Sequence, residues 1–370
     1  MPAALFTPLE LGGVTLPNRI VVSPMCQYSA DDGCMSDWHL IHLGHLAYSG
    51  AGLLMVEATH VTREVRITHR CTGLYSDDNE ASIKRVIDAC RRLSKSPLGI
   101  QIGHAGRKGS SQLPWEGRRW LAPGESPWQT VAPSAIPHGE GWHLPGELST
   151  EEVRKHVEYF VASTMRARRI GFDVLELHSA HGYLLHQFLS PLSNQRKDAY
   201  GKDRMKFPLE VAAAVRECWP KERGLGARIS ANDWVAGGLG PEDAVAYARE
   251  LERIGFDYVC VSSGALVSSA KIPVSPGFQV PFAEKVKKSA KIAVRAVGMI
   301  VDPLQAEEIV ASGKADMVAM ARAILDNPRW VWHAAERFGV TLDYPPQYLR
   351  SRADAWPGAA LARPRSVNPG

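Results

Sequence analysis

Short runs rich in Val, Ile and Leu recur along the chain, separated by longer segments whose apolar positions fall three and four residues apart. That alternation specifies a parallel sheet covered by helices. Eight runs stand out, at 20–23, 53–58, 98–104, 172–179, 226–230, 258–263, 293–297 and 317–321. Eight strands of this kind close on themselves, so the pattern predicts an α/β fold, a single (β/α)8 TIM barrel. The segments between carry helix signals. Asp77 or Asp78 can cap a helix whose Ile83, Val86, Ile87, Cys90 and Leu93 share one face. Ser149 and Glu152 form a capping box for the next helix, and Gly171 can take the left-handed conformation that ends it. Arg169-Ile-Gly-Phe-Asp reappears as Arg253-Ile-Gly-Phe-Asp, an echo of one helix–turn–strand unit. An open doubly wound sheet is the competing fold, but its glycine-rich fingerprint is missing after the first strand, where Ser23-Pro24-Met25-Cys26 stands instead.

Three segments break the spacing. Residues 5–18 read as an N-terminal hairpin plugging the barrel bottom. Residues 106–149 form a long insertion after strand three, whose six prolines, seven glycines and four tryptophans predict an ordered loop or hairpin over the site. Residues 350–370 lack periodicity and read as a C-terminal arm or tail. The barrel domain is thus expected to span 1–349.

Composition narrows the function classes. The chain has 370 residues, 45% apolar and 22% charged, which supports a sizeable core and excludes chain-long disorder. A net charge of +4, with no run of five like charges, gives no sign of nucleic-acid binding. No leader pattern and no apolar stretch of membrane-spanning length is evident, so a cytoplasmic location is expected. The six cysteines show no CxxC pair, which argues for free thiols and against an iron–sulfur cluster or zinc site.

Catalytic groups of such a barrel sit at the C-terminal ends of its strands, and position therefore filters the candidates. His178, His181 and Tyr183 crowd the end of strand four, supplying donors for a carbonyl oxygen and a proton donor beside them. A structural histidine pair, or half of a metal site, is the alternative, although no third ligand is evident. Arg228, on strand five, must face the lumen or a partnered site. It suits a ligand that becomes anionic, and an internal salt bridge is the other option. Cys26 follows strand one and taken alone reads as a buried thiol. Gln101, an amide in an apolar strand, needs a partner that donates and accepts, such as a pyrimidine-like ring edge. Gly298 and the pair Ala321-Arg322 stand where these barrels bind phosphate. His39, His42 and His45 spread too widely around one helix to converge on a metal, and read as packing and surface residues.

Taken together, Leu16-Pro-Asn-Arg-Ile20, Ser23-Pro-Met-Cys-Gln-Tyr28, Gln101-Ile-Gly-His-Ala-Gly-Arg-Lys108, Glu176-Leu-His-Ser-Ala-His-Gly-Tyr-Leu184 and Ser193-Asn-Gln-Arg196 resemble the old yellow enzyme family, in particular its bacterial thermophilic-type ene-reductases and xenobiotic reductases. The resemblance implies noncovalent FMN, reduced by NADPH or NADH, and reduction of the C=C bond of an activated alkene. By motif, Ser23, Pro24, Met25, Ala58, Gln101 and Arg228 would contact the flavin, with Cys26 near its reactive edge. Gly298, Ala321 and Arg322 would hold the phosphate. His178 and His181 would bind the substrate's activating oxygen, Tyr183 would give the proton and Tyr28 would line the pocket. The segment ending at Arg350 resembles one that reaches a neighbouring subunit's site, which implies a homo-oligomer, a dimer or tetramer. The family's usual strand-eight Gly-Arg is Ala321-Arg322 here. A flavin-binding sensor without alkene turnover, and a metal-dependent barrel hydrolase using His178 and His181, are the other functions considered.

Overall fold

In the computed structural model, which describes residues 3–117 and 119–363, eight parallel strands close a barrel in chain order. They are β1 (Ile20–Val22), β2 (Leu53–His60), β3 (Leu98–Gly103), β4 (Val174–Ser179), β5 (Gly224–Ser230), β6 (Tyr258–Ser262), β7 (Ala293–Ala296) and β8 (Met317–Met320), and β8 returns to β1 with Val318 opposite Ile20. Outside them lie α1 (Asp37–Ala47), α2 (Asp77–Leu93), α3 (Thr150–Ile170), α4 (Lys206–Cys218), α5 (Pro241–Ile254), α6 (Val280–Ser289), α7 (Pro303–Ala311) and α8 (Trp330–Arg337). The expected barrel is the observed one. β2 runs beyond its expected end to His60, because an irregularity between Val56 and Ala58 keeps it paired with β3.

The repeated Gly-Phe-Asp unit has a mechanical explanation. Gly171 and Gly255 adopt φ of +97° and +99°, which end α3 and α5. Phe172 and Phe256 turn into the core. The carboxylates that follow accept from an N–H at the start of the neighbouring strand, Leu98 to Asp173 at 2.8 Å and Leu225 to Asp257 at 2.7 Å. Asp316 does the same for Val294 at 2.8 Å, so donors lacking a ladder partner at the barrel bottom are satisfied by side chains. The capping box at Ser149 forms as expected. The cap of α2 is Ser76, whose hydroxyl accepts from the Asn79 N–H at 3.1 Å; Asp77 and Asp78 fall in the first turn, where carboxylates complement the helix dipole. Leu93, at the last position of that helix, has passed the edge of the core and is exposed.

The hairpin Leu9–Leu11 with Val14–Leu16 closes the bottom, its Leu11 and Leu16 packed against Val21, Leu53, Met55, Val174, Tyr258 and Met317. The middle of the lumen is polar. Glu176 and Arg295 form an ion pair with no exposed surface on either side chain. The carboxylate also accepts from Gln101 Nε2 at 2.7 Å and from the Tyr258 hydroxyl at 2.9 Å, and the guanidinium lies 4.9 Å from the Tyr258 ring centroid. These additional partners make burial of the pair tolerable.

Among the described residues of the insertion, Ser111 pairs antiparallel with Trp120, the Gln112 N–H donating to the Arg119 carbonyl at 2.8 Å and the Leu121 N–H to the Ser110 carbonyl at 2.9 Å, and a second pairing follows. Val131–Ala132 runs parallel to Gly146–Glu147, because the chain between them loops outward before returning. It docks on the loop after β6 through His138, whose Nδ1 donates to the Leu266 carbonyl at 3.1 Å. Just before the arm, Tyr344 packs on Trp332 with ring centroids 4.2 Å apart and Tyr348 packs on Tyr48 at 5.5 Å; within the arm, Arg363 pairs with Glu336 of α8. Residues 364–370 of the expected arm lie outside the described residues. All six cysteines are free thiols, and among the described residues no helix is long and apolar enough to cross a membrane.

This packing can be probed at two points. Glu176→Ala strands the Arg295 cation in the lumen and is expected to lower the unfolding free energy by about 3–5 kcal/mol in urea titrations. Replacing both residues by Leu is expected to restore much of the loss, and an unchanged single variant would contradict the pairing. The second concerns acid. Burial holds His42 and His60 down at about 4 and His138 at about 3. Unfolding returns each to the ordinary imidazole value near 6.5, so between these values the unfolded chain binds more protons. Stability is therefore expected to fall as pH drops from about 6.5 towards 4, read as a falling Tm; a flat Tm over that window would refute it.

Candidate active site

The C-terminal strand ends share one rim, and most of the candidates gather on it. His178 on β4 stands opposite Arg228 on β5 in the strand register. Arg228 is half-buried; among the described residues no carboxylate lies within 4.0 Å of its guanidinium, and its buried Nε has no hydrogen-bond partner. The internal salt bridge left open by the sequence is not formed. Arg295, one strand further round and deeper, has its counterion in Glu176. Arg228 has none.

Local hydrogen bonds set the two imidazoles differently. His178 Nδ1 accepts from the Ala180 N–H at 3.3 Å, which places the proton on Nε2 and leaves it free to donate. His181 Nε2 lies 2.7 Å from the Ser262 hydroxyl, and that hydroxyl gives its own proton to Gln279 Oε1 at 3.1 Å. His181 Nε2 is therefore the donor in its pair with Ser262. The His181 backbone is left-handed, at φ +56°, and its N–H donates to Ser230 Oγ at 3.0 Å. Behind this turn the Gly182 N–H donates to His186 Nδ1 at 2.8 Å, and His186 Nε2 lies 3.0 Å from Asp233. Burial, and then the charge of Arg228, push His178 and His181 well below the ordinary imidazole range, so both are neutral at physiological pH.

Tyr183 caps the short helix Leu184–Leu189 that follows, and its ring meets His178 edge-on with centroids 4.7 Å apart. Burial raises its hydroxyl pKa, keeping the phenol protonated. Tyr183, Tyr28 and Cys26 pack together against Ile67, Cys71 and Ala105. Burial, followed by the charge of Glu57, raises the Cys26 thiol well above its usual value, so it is a thiol and not a thiolate. Glu57 accepts from the Gln27 N–H at 2.8 Å and lies 2.9 Å from His39 Nε2. His39 is thus a fully buried partner of a carboxylate, whereas His45 is exposed. Among the described residues no group of three or more His, Cys, Asp or Glu side chains is placed to hold a metal.

The rim has the groups a flavin mononucleotide requires. Ser23 continues the β1 ladder by donating to the Met320 carbonyl at 2.9 Å, and Pro24 and Met25 follow it. Ala58 stands opposite Gln101. One N–H of the Gln101 amide is given to Glu176, which leaves its oxygen and its second N–H for a ring edge. Gly298 has φ of +109°, and a Cβ there would stand 2.8 Å from Gln279 Nε2, so backbone alone fits this corner. Ala321 and Arg322 open the short helix Arg322–Asp326, whose first N–H groups have no intrahelical acceptor. With the uncompensated Arg228, this set matches a polar heteroaromatic ring that gains negative charge and carries a phosphate. Arg350 is not brought to the rim of its own chain: it is exposed on the turn Pro346–Ser351, which packs through Tyr348 against Tyr48 and Trp332. Sequence reasoning missed Glu57 and Ser262, which belong to no local motif and meet their partners only through the barrel fold, and it did not find the carboxylate partner of His39.

Comparison with known proteins gives a consistent result. Residues 4–339 match the family described as NADH:flavin oxidoreductase / NADH oxidase. The chain is 42% identical over 355 residues to an NADPH dehydrogenase of Geobacillus sp. (strain WCH70), covering 95% of this chain and 99% of that protein. It is 41% identical over 352 residues to an NADPH dehydrogenase of Listeria monocytogenes serotype 4a (strain HCC23), covering 94% and 98%. Among solved structures, morphinone reductase in complex with tetrahydroNAD superimposes with a TM-score of 0.74 at 29% identity over 93% of each chain. The chain therefore belongs to the NADH:flavin oxidoreductase / NADH oxidase family, the old yellow enzyme family that its motifs resemble, and is an FMN-dependent oxidoreductase supplied with hydride by NAD(P)H.

Proposed function

We propose that this oxidoreductase is an ene-reductase, which reduces the C=C bond of α,β-unsaturated carbonyl compounds and related activated alkenes. The observation that carries this reading is the placement of a free imidazole N–H, on His178, and a protonated phenol, on Tyr183, side by side next to a cation without a counterion. FMN bound at this rim supplies the hydride. The remaining chemistry falls to the side chains. Hydride arriving at the carbon β to a carbonyl builds negative charge on the oxygen. His178 Nε2–H meets that charge with a donor already in place, stabilising the transition state more than the ground state. His181 adds a second donor once a ligand oxygen replaces Ser262 as the acceptor of its Nε2–H. Both imidazoles are uncharged, so they polarise the oxygen without giving up a proton to it.

The α-carbon then needs a proton from an acid that is never ionised in the resting site. The Tyr183 phenol, its pKa raised by burial, meets that requirement. Arg228, which has no counterion among the described residues, would face the negative charge that FMN gains on reduction. Cys26, as a neutral thiol, would neighbour the cofactor without acting as a nucleophile. Tyr28 closes the pocket beside Trp115, with ring centroids 6.1 Å apart. Arg350 enters this reading only as a residue lent to a second copy of the chain, since its own rim lies on another side.

The two half-reactions separate the roles. Anaerobic NADPH is expected to bleach the yellow protein, and cyclohexenone to restore the colour. In Tyr183→Phe, reduction by NADPH is expected to stay within a fewfold of wild type, while reoxidation by cyclohexenone falls by roughly 10²-fold or more. Stopped-flow absorbance reads both steps. Reoxidation of Tyr183→Phe at the wild-type rate would remove Tyr183 as the acid, and reduced protein that cyclohexenone never reoxidises would favour a flavin sensor.

A further inference from the structure

After β3 the chain makes a tight turn, Gly106–Lys108, which sends two consecutive cations among the rim loops. Arg107 Nη1 donates to the Ile136 carbonyl of the insertion at 3.1 Å, and its Nη2 to the Leu266 carbonyl after β6 at 3.0 Å. Lys108 Nζ donates to the His181 carbonyl after β4 at 2.7 Å and to the Ala265 carbonyl after β6 at 3.0 Å. Among the described residues neither cation has a carboxylate within 4.0 Å, so their hydrogen bonds here go to backbone carbonyls.

The two acceptors of Lys108 are unusual. His181 and Ala265 both carry left-handed backbones, at φ +56° and +67°, which non-glycine residues keep only when their surroundings hold them there. The loops touch at this point, since a Cβ on Gly182 would stand 2.4 Å from the Ala265 oxygen. One ammonium thus closes two strained turns onto each other. It also lies 5.0 Å from the centroid of the Tyr183 ring, within reach of a cation–π contact.

We propose that Lys108 is a positioning residue for alkene reduction: by binding the His181 and Ala265 carbonyls together, its ammonium fixes the His181 imidazole and the Tyr183 phenol for the substrate. This rests on the roles given to His181 and Tyr183 above. Arg107 does not duplicate it, because its two carbonyls belong to the insertion and to Leu266, not to the turn carrying His181. The ammonium does not touch the substrate. Its influence passes through two backbone oxygens and one ring face.

The electrostatics around Nζ make the clamp sensitive to pH. The groups facing it are Arg107 from its own turn, His138 from the insertion, His178 and His181 from the end of β4, and Tyr183 from the short helix, with Arg228 beyond the histidines. All are cationic or neutral. Burial and the Arg107 charge lower Lys108 to about 7. Below that pH the clamp is charged; above it a neutral amine binds the same carbonyls less strongly.

FMN-loaded Lys108→Met and Lys108→Arg, compared with wild type, test the proposal. Stopped-flow absorbance gives NADPH reduction and cyclohexenone reoxidation, and flavin difference spectra give the Kd of p-cresol and of 4-hydroxybenzoate. In Lys108→Met, FMN content and reduction are expected within about threefold of wild type, with p-cresol binding and reoxidation weakened roughly 10- to 100-fold, the scale of misplaced reacting groups. Wild-type reoxidation is expected to decline as pH rises through about 7, and Lys108→Arg to recover part of the rate and to keep it at higher pH, because guanidinium stays charged. Wild-type cresol affinity and reoxidation in Lys108→Met would overturn the proposal, as would loss of both half-reactions together with FMN, which marks a merely structural tether. Weakened binding of 4-hydroxybenzoate alone would overturn it in favour of direct contact with a ligand carboxylate. The underlying reading fails separately: if Tyr183→Phe reoxidises normally while Lys108→Met is slow and binds cresol weakly, the acid is reassigned and Lys108 keeps its role through His181.

Discussion

Two arginines point into this barrel, and the difference between them organises the rest. Arg295 lies deep, has no exposed surface, and is neutralised by Glu176 with Tyr258 and Gln101 completing the carboxylate's hydrogen bonds. Arg228 sits nearer the rim, with no counterion among the described residues. Arg228 is half-buried, but its Nε is buried without a partner, and an unmet buried donor costs free energy unless a ligand satisfies it. The deep pair makes the floor rigid and electrically quiet, and the upper cation remains to be satisfied by a ligand. We read that asymmetry as room for a cofactor that gains charge; burial, with the Arg228 charge second, keeps both neighbouring histidines neutral and so leaves them as hydrogen-bond donors rather than acids.

The proposed proton donor and charge stabilisers are each oriented by the scaffold. His178 is fixed by a backbone N–H two residues on, His181 by Ser262 and Gln279, and Tyr183 by its place at the start of a short helix. Each is oriented by a group that belongs to the scaffold and not to the reaction. The loop carrying them is anchored from behind by His186 and Asp233 and from the side by Lys108. Precise placement is thereby built from strand ends and short turns, which move less than a long loop would.

Much of this was legible in the sequence because it is local. Strand and helix positions follow from periodicity. The Gly-Phe-Asp echo marks a turn in which the glycine ends the helix, the phenylalanine enters the core and the aspartate caps the neighbouring strand. His178, His181 and Tyr183 announce themselves by crowding at a strand end. The illegible part is what depends on register around a closed barrel. Glu176 and Arg295 are 119 residues apart, and nothing in either segment says that they meet. Gln101 was expected to need a partner that donates and accepts, and the sequence did not show that one of its two N–H donors would go to Glu176. His39 shares a helix and a spacing with His42 and His45, but only the fold shows that Glu57 waits beneath it. The C-terminal contacts were hidden for another reason: the aromatic packing of Tyr344 and Tyr348 ahead of the arm and the Arg363–Glu336 pair within it follow no periodicity.

The claim that Arg228 is a counter-charge in waiting is open to direct measurement by spectroelectrochemistry of FMN bound to wild type and to Arg228→Met. Methionine keeps much of the side-chain volume and removes the cation. The variant's two-electron midpoint potential is expected to fall by about 30 mV or more, since roughly 1.4 kcal/mol of stabilisation of the reduced, anionic ring corresponds to that shift. A potential equal to that of the wild type, with FMN bound as tightly, would show that the cation does not sense the charge on the ring, and the central claim would be wrong.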